Sequence, residues 1–145
     1  MIDIVEDLKT YLKTITAVTD LVAAGTAARI YTHESKQGVA LPYVILEVFE
    51  GSSEEHLNDI SGIASNRIQV DAYGATSSAA LTLAEAIRLA PLQMYRGLFG
   101  TTFITDVTSN GGYRRGRDQP TTGGNQRRYW VSRDYIFRYH EPITA

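Results

Sequence analysis

The sequence predicts an α+β domain. The expected form is a mainly antiparallel sheet, open to a mixed arrangement, of four to five strands with two main helices packed on one face. Three observations carry this expectation. Apolar residues recur at helical spacing in two segments, one at the N-terminus and one in the middle of the chain. Between and after these segments the apolar residues alternate with period two. The connections are rich in Gly, Ser, Thr and Asn, and 145 residues is the size of one ordinary domain, so residues 1–145 are read as a single unit.

The elements follow in order. Ile2, Val5, Leu8, Leu12 and Ile15 form one stripe of a helix, with Asp3 and Glu6 spaced as a cap and both acids suited to its positive end. Ala17–Ala24 reads as a second short helix stopped by Gly25. Arg29–Thr32 is a short strand. Pro42 opens the run Tyr43–Phe49, which is largely apolar on both faces, as a central strand would be. In Arg67–Tyr73, Ile68, Val70 and Ala72 point one way while Arg67, Gln69, Asp71 and Tyr73 point the other. Thr76 and Ser77 cap a second main helix, in which Ala80, Leu83, Ala84 and Ile87 face the core and Pro91 marks the stop. Two late strands span Thr102–Thr108 and Arg128–Tyr139. The second sets Tyr129, Val131, Tyr135, Phe137 and Tyr139 against Arg128, Ser132, Asp134 and Arg138.

The connection between those last strands, at about 109–126, is long and poor in apolar residues. It reads as a mobile Arg/Gly loop, which ought to be removable from Gly112 to Gly124 without loss of the fold.

Composition excludes some chemistries. There is no cysteine, hence no disulfide, thiolate nucleophile or cysteine metal site. His33, His56 and His140 are not spaced as zinc ligands, and no metal or other cofactor is expected. No phosphate loop, dinucleotide fingerprint or nucleophile elbow occurs, so the chain does not read as an enzyme. Glu54, Glu55 and Asp59 could do acid–base work only if desolvated, and a solvated hairpin loop accounts for them more simply. No apolar run of about eighteen residues is present, so no membrane span is expected. The opening residues pattern as an amphipathic helix rather than a secretory leader.

The formal net charge of −2 conceals a gradient. Residues 1–63 carry ten acidic residues against four basic ones, a balance of −6. Residues 112–138 carry seven arginines against Asp118 and Asp134, a balance of +5. Such segregation fits solvated surface charge, and equally a head-to-tail contact between copies of the chain, for which arginine is well suited. Tyr113, Arg114, Arg115, Arg117, Arg127 and Arg128 on one side, with Glu54 and Glu55 on the other, are the candidate contact residues. The Gly-Gly-Tyr-Arg-Arg-Gly-Arg stretch also has the character of a short nucleic-acid tract, in which arginine meets phosphate and tyrosine stacks on bases.

The order Arg29-Ile30-Tyr31, Leu41-Pro42-Tyr43-Val44, Asn66 through Gly74, and then the Ala-rich helix Ser77–Ala90 resembles the tail terminator, or tail completion, family of phages with long non-contractile tails. The resemblance spans about Ile4 to Tyr139. It implies a non-enzymatic virion component at the head–tail junction, assembled in the host cytoplasm. It further implies a hexameric ring that caps the tail-tube protein, ends tube growth and meets the head connector or stopper protein. Genome DNA would pass through the lumen without sequence-specific binding. The alternatives are a head-completion or stopper protein of the connector and, from another class, a small nucleic-acid-binding module using the arginine-rich segment.

Overall fold

The structure is a computed structural model that describes residues 4–33, 40–56, 59–92, 95–99, 102–118 and 128–140. Three helices, α1 (Ile4–Leu12), α2 (Thr16–Val22) and α3 (Ser77–Ile87), pack on a six-stranded sheet. The strands are β1 (Ile30–Thr32), β2 (Tyr43–His56), β3 (Asp59–Gly74), β4 (Gly97–Phe99), β5 (Thr102–Asp118) and β6 (Arg128–His140), in the spatial order β1-β2-β3-β6-β5-β4. The α+β class is as expected, but the sheet is larger than four to five strands. It is also mixed, because β1 runs parallel to β2 while every other pair is antiparallel.

The helices form where the apolar stripes predict. Ile4, Val5, Leu8 and Leu12 bury one face of α1; the Asp3 cap lies outside the described residues. α2 ends at Val22, before Gly25, with Ala23 at φ 74°. It adds Val18 and Val22 to the core, so three helices rather than two contribute. The Thr76 side chain caps α3 by accepting from the Ala79 N–H at 3.0 Å. Beyond Ile87 the chain makes one wide turn, Arg88–Leu92, through Pro91, which has no N–H to continue the helix.

Side chains on a strand alternate between faces. Val44, Leu46, Ile68, Val70, Ala72, Val131, Tyr135, Phe137 and Tyr139 all join the core under the helices. The opposite face carries no helix among the described residues. It presents Glu47 from β2, Arg67, Gln69, Asp71 and Tyr73 from β3, and Ser132, Asp134 and Arg138 from β6.

The strands run much further than their apolar stretches. β2 and β3 continue through the polar segment expected to be a hairpin loop, pairing as far as His56 with Asp59. β5 continues to Asp118, so residues 109–118 form strand and not loop. Residues 119–126 lie outside the described residues. The cause is local. The unbroken edge of β6 offers hydrogen bonds to β5 whatever side chains β5 carries, and Gly116 sits where the Trp130 indole leaves no room for a Cβ. Deleting Gly112–Gly124 would therefore strip the last seven of the seventeen residues of β5 from the sheet.

Gly74 closes β3 against the start of α3, where an added Cβ would lie 2.6 Å from the Ala80 backbone nitrogen. We expect Gly74→Ala to destabilise the domain by about 1–3 kcal/mol through overpacking and Thr76→Ala by about 1 kcal/mol through loss of the cap. Urea denaturation midpoints would read both losses.

Candidate interaction surface

The two charge-bearing segments stand at opposite ends of the sheet. Glu54 and Glu55 lie on β2 near its C-terminal end, where His56 pairs with Asp59 of β3. Arg114, Arg115 and Arg117 lie on the last turns of pleat in β5, paired with Ser132, Val131 and Tyr129 of β6, while Arg128 pairs with Asp118. Arg127 lies outside the described residues. The described arginines are thus carried by paired strands rather than by a loop.

Alternation then divides the arginines between the two faces. Arg114 points to the helix-free face, where its Nη2 donates to Ser132 Oγ at 3.2 Å and lies 3.4 Å from Asp134 Oδ1. Arg115 is on the helix side and donates to Ser77 Oγ at the start of α3. Tyr113, also on that side, is covered by the Arg133 guanidinium at 5.3 Å from its ring centroid. Arg117 is exposed. Arg128 donates to the Tyr43 hydroxyl at 3.0 Å.

The anchor of the helix-free face is Asp134, which the sequence places among solvated strand residues but whose side chain is 5% exposed. Arg67 holds it through Nη2 at 2.6 Å and Nε at 3.2 Å, both on Oδ2, leaving Oδ1 for Arg114. A buried carboxylate needs donors in place of the lost water, and two guanidinium groups supply them. Beside this pair Gln69 donates to both oxygens of Asp71 at 3.0 Å. Tyr43 and Tyr73 stack at 4.7 Å. A groove of about 460 Å³ runs between Asp71, Tyr73, Arg114, Asp118, Trp130 and Ser132.

On the helix side Glu85 bridges α3 to β6. Arg88 donates to it at 2.6 Å and Arg133 approaches at 3.8 Å. The Arg88 hydrogen bond holds the Glu85 carboxyl below its ordinary range, with burial opposing and the charges of Arg88 and Arg133 assisting. Burial pushes the phenols of Tyr73 and Tyr135 up to about 12; for Tyr73 the nearby Asp71 adds to the effect.

No group of three His, Cys, Asp or Glu suited to a metal ion occurs among the described residues, and none of their helices is long and apolar enough to cross a membrane. Asp134 and its link to Arg67 escaped the sequence reading, because the partners are 67 residues apart and only strand pairing brings them together.

Comparison with known proteins adds three findings. The family model described as "Tail completion protein gp17" matches residues 6–130. A chain in the solved structure titled "Virion of native gene transfer agent (GTA) particle" shares the fold, with a TM-score of 0.64 over 92% of this chain and 91% of that one, at 12% identity. No curated protein sequence matches.

Truncating Asp134 leaves Arg67 without its carboxylate, so Asp134→Ala should cost about 2–4 kcal/mol. Arg114→Ala should cost below about 1 kcal/mol, since its side chain is 58% exposed. Urea unfolding of both variants checks the order. In a pH titration followed at 295 nm, Tyr73 and Tyr135 should ionise near 12, and Tyr73→Phe and Tyr135→Phe should each remove amplitude there. Their raised values mean that the stability they contribute is complete below the ordinary phenol value of 10.0 and is lost as pH climbs towards 12.

Proposed function

The chain belongs to the tail completion protein family, and on that premise we propose that it caps the phage tail tube as a ring and joins the tail to the head connector. Membership makes it a structural component of the virion tail. The capping and joining roles are the finer reading, as are its partners: a hexamer of this chain, the tail-tube protein and the connector or stopper. The role is one of assembly rather than catalysis.

The observation that carries this reading is the match of the family model across residues 6–130, from α1 to the start of β6. The fold shared with a chain of a virion particle is consistent with it. The surface supports it physically. A subunit of a cyclic ring presents two different patches that fit each other, whereas a two-fold dimer presents one patch to itself. Acidic residues at one end of the sheet and arginines at the other are two such patches. Opposite charge of this kind also steers encounter and fixes register.

The nucleic-acid reading draws less from the structure. Arg114 is already engaged with Asp134 and Ser132, and Arg115 with Ser77. Two of the three arginines of the tract thus already have partners within the subunit, while Arg117 is exposed.

Mixed with its cognate tail-tube subunit, the protein should appear in electron micrographs as a cap on tube ends and arrest their growth. The assembled species should have a mass near six times 16.0 kDa. A protein that neither assembles nor caps tubes overturns the reading. A salt-sensitive DNA affinity abolished by Arg114→Ala, Arg115→Ala and Arg117→Ala would favour the nucleic-acid module instead.

A further inference from the structure

Two long strands have outer edges that are covered over only a few residues. β1 lies against β2 at Val44–Leu46, and β4 lies against β5 at Thr102–Ile104. Past those pairs β2 runs on to His56 and β5 to Asp118, with no further strand beside them among the described residues. Open N–H and C=O groups over such lengths are a template for another strand, and soluble proteins normally hide or blunt them. The two edges bound the same sheet on opposite sides. A second copy can therefore present one to the other, and every added copy leaves the same pair of edges for the next.

Direction permits this contact. β2 and β6 run the same way and β5 runs against them, so a sheet continued from β5 of one copy to β2 of the next is antiparallel across the junction.

Charge selects the stretch of edge. Residues 47–56 of β2 include Glu47, Glu50, Glu54 and Glu55 and no Lys or Arg, while residues 112–118 of β5 include Arg114, Arg115 and Arg117 against Asp118. The two stretches are not level. Across the rungs Arg114 stands beside Ser132, Asp71 and Ile45, whereas Glu50 stands beside Arg67, Ile136 and Thr108. A neighbour docked without displacement would bring Glu50 to the region of Asp106 and Thr108, acid near acid. Sliding it by about nine residues, on the order of 30 Å at the rise of a strand, sets the arginines against the glutamates. The same slide carries the contact clear of both short strands, since β1 covers the near part of β2 and β4 the far part of β5.

We propose that in the ring residues 113–118 of β5 in one copy add as an antiparallel strand to residues 50–55 of β2 in the next copy, making the sheet continuous from subunit to subunit. This contact rests on the ring reading and specifies the surface that would build it.

The absence of native cysteine makes the contact directly testable. In the double variant Glu54→Cys/Arg114→Cys, whose side chains share a face in this register, a short bismaleimide added to assembled protein should give a covalent ladder that ends in a closed species. The control Glu54→Cys/Thr82→Cys, with Thr82 exposed on α3, should stay uncrosslinked. Rings that form without the ladder overturn this contact and leave the ring reading standing. Wild-type protein that neither assembles nor caps tubes overturns the ring reading and the contact with it.

A charge exchange provides the second arm. Arg115→Glu/Arg117→Glu alone and Glu54→Arg/Glu55→Arg alone should each lose the ring while keeping wild-type circular dichroism. An equimolar mixture should restore it, because an even-numbered ring can alternate the two variants. Folded variants that fail to recover the ring on mixing overturn the contact.

Discussion

The antiparallel ladder between β3 and β6 joins residues 63–74 to residues 129–140 without a shift in register, and the positions of the other elements follow from it. Every rung fixes which side chain faces the helices and which faces away, because a slip of one residue would exchange the two faces. With the ladder in place, Ile68, Val70 and Ala72 from one strand and Val131, Tyr135 and Phe137 from the other form a single apolar floor. α3 needs only small and aliphatic residues on one side to lie on that floor, and Ala80, Leu83, Ala84 and Ile87 provide them. On the reverse face the same ladder brings Arg67 within 2.6 Å of Asp134. A residue spacing of 67 positions thus becomes a contact, and the buried carboxylate in turn penalises any register that separates it from Arg67.

The helices and the buried halves of the strands were legible because their signal is apolar and local. The stripe from Val5 to Leu12 and the Thr76 cap needed no knowledge of partners. The extensions of β2, β3 and β5 were not legible, since Gly51-Ser52-Ser53-Glu54-Glu55 and Gly111-Gly112-Tyr113-Arg114-Arg115 have the composition of turns. Strand pairing overrides that preference by supplying backbone hydrogen bonds along an edge that already exists. β4 escaped for a different reason. It is three residues long, with Leu98 exposed, and too short to show alternation.

The candidate surface divides in the same way. Segregation of acid and arginine is a property of the sequence itself and survives in the fold as two ends of one sheet. What the sequence could not show is how pairing fixes the arginines. Alternation sends Arg114 to the helix-free face and Arg115 to the helix side, and a mobile loop would have made no such division. Arginines held on a strand have lost much of their conformational freedom before any partner arrives, so a contact through them costs less ordering than one made by a loop.

Long edges with no neighbouring strand among the described residues ought to make a protein associate indiscriminately, and the register of the sheet suggests what limits this. The shifts in pairing fall between Val48 and Glu50 and between Ser53 and Glu55 of β2, and between Ile104 and Asp106 and between Ser109 and Tyr113 of β5. The central ladder has none. Irregular rungs bend a strand and increase its twist, so a straight, regular strand cannot pair with such an edge along its whole length. Like charge on each edge adds repulsion between two copies of the same edge, since glutamates would meet glutamates and arginines would meet arginines. Irregularity limits how far any strand can pair along these edges, and charge disfavours like edges while leaving the unlike edge of a second copy acceptable over the stretch from Glu50 to Ser53, which is regular.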